Sequence, residues 1–170
     1  MPKIVIIGYG TMFAKLIAGC ITAGYTPVGV LRHEKTKIPP FLLKIKDYIF
    51  PSKDKSLIAG YNLYEIDATS VNSEKFKKEL IKLNTDIVFI ASWSEKISKE
   101  IINVPKFAMI NCHPSLLPKY RGPNPYAQVI LYDEKKTGVT FHLVDENYDT
   151  GPILTQKEIP ITENETGGSL

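Results

Sequence analysis

Asn111 and His113 stand two residues apart at the end of the apolar run Ala108-Met109-Ile110. If that run is a strand, residues i and i+2 leave it on the same face. An amide and an imidazole then face one way, and Cys112 faces the other. An imidazole takes up and gives back a proton near neutral pH. A carboxamide N–H donates to an oxygen that gains negative charge during a reaction. Two polar groups on an apolar strand cost stability if they are buried without partners, so something must hydrogen-bond to them. The spacing fits a catalytic pair. It also fits a satisfied histidine that orients the proline-rich loop after it. Asp149, within Asp149-Thr150-Gly151-Pro152, offers a carboxylate that can pair with His113. Taken alone, Asp-Thr-Gly reads better as a turn whose aspartate bonds its own backbone. Cys112 reads as a small core residue rather than a nucleophile. His33 and His142 show no metal-ligand spacing with His113.

A second candidate is Gly8-Tyr9-Gly10-Thr11-Met12-Phe13. A dinucleotide fingerprint reads G-x-G-x-x-G, and its third glycine lets helix and strand pack closely. Phe13 occupies that third place, which argues against a nicotinamide-dependent oxidoreductase. A glycine turn at a helix N-terminus still offers N–H groups to an anion. A plain tight turn explains it equally well.

These groups need elements to hold them. Ile4-Val5-Ile6-Ile7 reads as a buried parallel strand. Thr11 is placed to cap the helix that follows, with Phe13, Leu16, Ile17 and Cys20 at helical spacing and Gly24 as its stop. Pro27 to Leu31 is the second strand, so the chain opens as a βαβ unit. A lysine-rich stretch from His33 to Leu57, interrupted by Pro39-Pro40, predicts a short helix between loops. Its lysines suit an anionic substrate or a solvated face. Asn62 to Ile66 predicts a strand. Ser73 predicts the cap of a helix through Leu83, with Phe76, Leu80 and Leu83 inward. Asp86 to Ala91 and Ala108 to Asn111 are further strands, with helical character at Ser98 to Ile102 between them. Pro114, Pro118, Pro123 and Pro125 keep the next segment irregular. A helix over Tyr126 to Leu131 follows, then strands at Gly138 to Val144 and Ile153 to Ile159. Thr162 to Glu165 predicts a capping box, and the helix expected after it is not in the sequence, as in a fragment or a chain cut short.

The bulk numbers fit one domain. The chain has 170 residues, 44% hydrophobic and 23% charged, with a net charge of +3. That charge is too small for a dedicated nucleic-acid binder and gives weak support for an anionic partner. The two cysteines suggest neither a disulfide framework nor a zinc site. The first apolar run is too short for a signal peptide or a membrane span. A cytoplasmic protein is expected.

The run Asn111-Cys112-His113-Pro114-Ser115-Leu116-Leu117-Pro118-Lys119-Tyr120-Arg121-Gly122 resembles the signature of the 10-formyltetrahydrofolate-dependent formyltransferases. Thr137-Gly138-Val139-Thr140-Phe141-His142 through Asp149-Thr150-Gly151-Pro152-Ile153-Leu154 supplies a second match, in that family's order. The resemblance spans residues 1 to 170 and is strongest from 108 to 157. It implies an α/β fold: a Rossmann-like formyltransferase domain with a mostly parallel twisted sheet flanked by helices. It implies Asn111, His113 and Asp149 as the catalytic set, transferring formyl from 10-formyltetrahydrofolate to an amine without a metal. Asn111 and protonated His113 would stabilise the oxyanion, and Asp149 would hold the histidine cationic. By the same resemblance the folate would contact Trp93, Ser94, Glu95, Lys96 and Ile97, and Val144, Asp145, Glu146, Asn147 and Tyr148. Gly10, Thr11, Ser115, Arg121 and Gly122 would border the amine, with Thr140 behind the site.

The acceptor implied is a nucleotide sugar or an aminoacyl-tRNA. Two departures weigh against tRNA. Arg32-His33-Glu34-Lys35-Thr36-Lys37 runs into Pro39-Pro40-Phe41-Leu42 where the methionyl-tRNA branch has a basic insertion. Ala91-Ser92-Trp93-Ser94 stands where that branch has Ala-Tyr-Gly. The rivals are the oxidoreductase weighed above and a folate- or ligand-binding domain without turnover.

Overall fold

A computed structural model describes residues 1–32 and 52–170. The part of the predicted lysine-rich helical stretch that covers 33–51 lies outside the described residues. A six-stranded sheet organises the chain, in the order β2-β1-β3-β4-β5-β6. β1 (Ile4–Gly8), β2 (Gly29–Arg32), β3 (Ile87–Ala91) and β4 (Ala108–His113) run parallel. β5 (Lys136–Leu143) joins β4 antiparallel, and β6 (Ile153–Pro160) joins β5 antiparallel. The sheet is α/β in kind and mostly parallel, as the sequence predicts.

β1 is buried at all five residues, which is why it reads as a continuous apolar run rather than an alternating one. Its alternate side chains enter two cores. Ile4 and Ile6 meet Phe13 and Ile17 of α1 (Gly10–Thr22) on one face, with Ile58 of α2 (Lys53–Gly60). Val5 and Ile7 meet Phe76 and Leu80 of α3 (Glu74–Lys82) on the other, with Ile101 of α4 (Lys99–Ile102). The Ser73 cap is formed: its hydroxyl accepts from the Phe76 N–H at 3.2 Å. Gly24 (φ +85°) closes α1, and the Tyr25 N–H reaches back to the Cys20 carbonyl at 2.8 Å. That positive φ suits glycine after a helix.

Four expectations change. Thr11 does not cap α1. Tyr9 holds the cap position without a side-chain bond, because the helix begins at Gly10, whose φ of +71° suits glycine, and leaves Thr11 inside the first turn. The segment around Leu63 forms only a single parallel bridge, Val30 to Glu65, rather than a strand. β4 runs on to His113, two residues past the predicted end at Asn111, and keeps the pair on the strand where the spacing puts it. Thr162 and Glu165 form a plain turn rather than the predicted capping box, and the reciprocal bonds lie at Thr166 and Ser169, also within a turn. There the Ser169 N–H donates to the Thr166 hydroxyl, and the Thr166 N–H donates to the Ser169 hydroxyl.

Candidate active site

Parallel pairing sets Gly8, Ala91 and Cys112 level at the carboxyl ends of β1, β3 and β4. Ligand sites in open α/β sheets lie beyond such ends. Gly8 lets the strands approach: a Cβ there would stand 2.1 Å from the Ala91 carbonyl oxygen. Phe13 fills the neighbouring space, and its ring lies 3.0 Å from the same point. An aromatic ring therefore packs where a dinucleotide fold keeps a third glycine.

Asn111 and His113 leave β4 on one face, as their spacing requires. The same strand register sets Asn111 opposite His142 and His113 opposite Thr140 on β5. Asp149 comes from the β5–β6 connection, with φ +54°. Its carboxylate joins the strands. Oδ1 accepts from Asn111 Nδ2 at 3.0 Å, and Oδ2 accepts from the Gly122 N–H at 2.8 Å. His113 Nδ1 lies 3.5 Å from Oδ2, and His142 Nε2 lies 3.4 Å from Oδ1. Burial pulls the Asp149 pKa up. The polar contacts with His142, Gly122 and His113 outweigh it, and the carboxyl ends below its ordinary 3.8. Asp149 is thus an anion at neutral pH.

The turn role expected of Asp149 falls to Asp145, whose carboxylate accepts from the Asn147 N–H and the Thr150 hydroxyl. Both aspartates lie in one connection, and spacing did not tell them apart. His142 is the residue that sequence reasoning left aside. It is 2% exposed and touches both Asn111 and Asp149. The readable signal was its place two residues after Thr140 on an alternating strand.

His113 is fixed from its other side, where Nε2 donates to the Tyr120 carbonyl at 2.9 Å. The loop supplying that carbonyl is pinned several times. The Ser115 hydroxyl donates to the Lys119 carbonyl, and the Tyr120 hydroxyl donates to Glu134 at 2.6 Å. Thr140 Oγ1 donates to the Ser115 carbonyl and accepts from the Leu117 N–H. Gln156 Nε2 donates to both the Leu117 carbonyl and Thr140 Oγ1. Ser115 and Thr140 are fully buried, so they shape the loop from behind.

A cleft of about 580 Å³ opens over Asn111, His113, His142 and Asp149. Trp93, Ser94, Glu95, Lys96 and Ile97 border it, with Val144, Asp145, Asn147, Tyr148 and Gly122. Glu146 lies outside this lining and pairs with Lys99 at 2.6 Å. The Glu95 carboxylate turns away from the opening: it accepts from the Ser70 hydroxyl, the Val71 N–H and Asn72 Nδ2. Those bonds fix the 92–97 loop against the segment before α3. A second, larger hollow holds Gly10 and Thr11 and shares Tyr9, Ser92, Cys112, Pro114 and Tyr126 with the first. Arg121 is exposed and lines neither. Burial pushes the Cys112 thiol up to about 11, which leaves it protonated and poorly nucleophilic.

A family model described as "Formyl transferase" matches residues 3–170. The methionyl-tRNA formyltransferase of Enterococcus faecalis is 31% identical over 170 residues, which is 100% of this chain and 53% of that protein. That of Thermodesulfovibrio yellowstonii is 42% identical over 100 residues, covering 59% of this chain and 32% of the relative. The chain thus spans about half, or less, of the curated relatives it matches. Among solved structures, phosphoribosylglycinamide formyltransferase from Anaplasma phagocytophilum superposes with a TM-score of 0.78 at 19% identity. That match covers 99% of this chain and 76% of the other. The N-formyltransferase from Helicobacter canadensis, in complex with folinic acid and dTDP-3-aminofucose, gives 0.71 at 21% identity, covering 99% and 56%. At these identities the structural likeness speaks for the fold.

Proposed function

This chain belongs to the formyl transferase family, and we propose that it moves a formyl group from 10-formyltetrahydrofolate to a primary amine carried by a nucleotide sugar or by methionyl-tRNA. The observation that carries this reading is the meeting of Asn111, His113 and Asp149 at one point of the cleft, from one strand and a loop. The cleft suits a folate. Trp93, Ile97 and Val144 give it apolar walls, and its volume lies in the range of small-molecule sites.

In the proposed reaction the amine lone pair forms the new C–N bond at the formyl carbon, and the carbonyl pair moves onto oxygen. Donors aimed at that oxygen lower the barrier. Asn111 Nδ2 and His113 are the donors nearest that point, and a substrate oxygen would take over one of the hydrogen bonds that each makes within the protein. The anionic Asp149 faces His113 Nδ1 and holds the ring in place. On collapse the carbonyl reforms, the bond to N10 of the folate breaks, and N10 takes a proton. The amine gives up one proton in the same cycle, so His113 and Asp149 act as relay.

The acceptor has support on both sides. Curated relatives are methionyl-tRNA formyltransferases, and one structural neighbour is bound to an amino sugar nucleotide. Ser92-Trp93-Ser94 favours the sugar. A cytoplasmic setting belongs to the same reading. The test is a formyl-transfer assay on a panel of nucleotide amino sugars and charged initiator tRNA, alongside calorimetry with 5-formyltetrahydrofolate. Transfer to one panel member with saturable folate binding is expected. No transfer and no folate binding would overturn the reading.

A further inference from the structure

Asn111 has two amide protons, and both are taken within the protein. One goes to Asp149 Oδ1 at 3.0 Å, and the other meets His142 Nε2 at 3.2 Å. For His142 Nε2 to accept, the ring proton must sit on Nδ1. The structure provides for this, because His142 Nδ1 lies 2.8 Å from the Leu143 carbonyl, which can only accept. The backbone of β5 thereby sets the tautomer of His142. The tautomer in turn sets which end of the Asn111 amide faces the carboxylate and the cleft.

We propose that His142 is a positioning residue: with its ring proton on Nδ1, its Nε2 lone pair holds the Asn111 amide nitrogen against Asp149. The inference rests on the formyl-transfer reading for its consequence and on geometry alone for its structural claim. Two acceptors, Nε2 and Oδ1, together fix the amide, because a flipped Asn111 would present an oxygen to both. The groups that face His142 are Asn111 from β4, Asp149 from the β5–β6 connection and His113, whose ring centroid is 6.5 Å away. None of them replaces the lost acceptor, since the carboxylate oxygen nearest the amide is already bonded to it. Without His142, Asn111 keeps one tether and can rotate about it. Hydrogen-bond partners that orient metal-ligating side chains typically matter by about 10–100-fold, and a loss of the same order is expected for the partner of a catalytic amide.

Two measurements on the full chain test this. Nitrogen-15 NMR of the imidazoles reads the tautomer without any assay. A proton on His142 Nδ1 and a bare Nε2 are expected from the hydrogen bonds, and a proton on Nε2 would overturn the proposal. A double-mutant cycle reads the coupling. His142→Ala should lower kcat about tenfold or more while KM for the folate stays within about twofold. The His142→Ala/Asn111→Ala double variant should be no slower than Asn111→Ala alone. His142→Gln, whose amide oxygen can accept in place of Nε2, should recover most of the loss. Losses that multiply, or a His142→Ala rate equal to the parent's, would overturn it. A parent protein without formyl transfer would instead overturn the proposed function, and the tautomer measurement would still decide the structural claim.

Discussion

Asp149 holds its charge in a largely buried place, and that charge is the hinge of the site. Its folded pKa lies below 3.8, so the ion contributes stability above that value. The contribution is lost as pH falls through the lower, folded pKa. Asp149→Asn should therefore cost about 1–3 kcal/mol at pH 7. The gap from the parent should close in acid below 3.8, because protonation removes the parent's charge as well. Urea melts at the two pH values measure it; a gap that persists in acid would contradict the account. His113→Ala should leave circular dichroism unchanged and lower kcat by on the order of 10²–10³-fold, and a near-parental rate would remove His113 from the mechanism. Residue types and the i, i+2 spacing made Asn111 and His113 legible. His142 and the choice between Asp145 and Asp149 were not, because both depend on strand register and on a left-handed turn that spacing does not encode.

At the scale of elements, the strands were readable because burial on both sides leaves continuous apolar runs. Gly8 carries the sharpest constraint, since a methyl there would meet the Ala91 carbonyl. Gly8→Ala should part β1 from β3 at their site ends and cost about 1–3 kcal/mol. The denaturation midpoint measures this, with Gly10→Ala as a comparison because nothing lies within 4 Å of its added carbon, although its φ of +71° carries its own strain. The Ser73 cap was legible because a serine preceded a clear helical period. Thr11 misled for the opposite reason. A glycine before it can enter the helix as easily as end the strand, and side-chain type alone does not choose between them.

For the whole molecule, the sheet changes character at β4, parallel on one side and antiparallel on the other. The four polar groups gather at that change, beside strand ends that open two adjoining hollows. A ligand that bridges loops 92–97 and 144–148 binds only the folded chain, so it must raise the unfolding temperature. At about one hundred times its Kd, 5-formyltetrahydrofolate should add about 2.7 kcal/mol. A thermal melt with the folate and with NADH checks this, and a shift with NADH alone would favour the oxidoreductase. The fold class was legible from the βαβ opening and the change of texture after Asn111. How the two halves adjoin was not, because pairing across β4 and β5 is a long-range choice.

The join between β4 and β5 also divides labour along the chain. Asn111, His113, His142 and Asp149 all lie within one stretch, with Asn111 and Asp149 separated by only 38 positions. The β1–α1 turn at the second hollow comes from the far end of the sequence. The shape of that hollow and the geometry of the four polar groups are thus written in separate parts of the chain, and a substitution in one leaves the other's contacts in place.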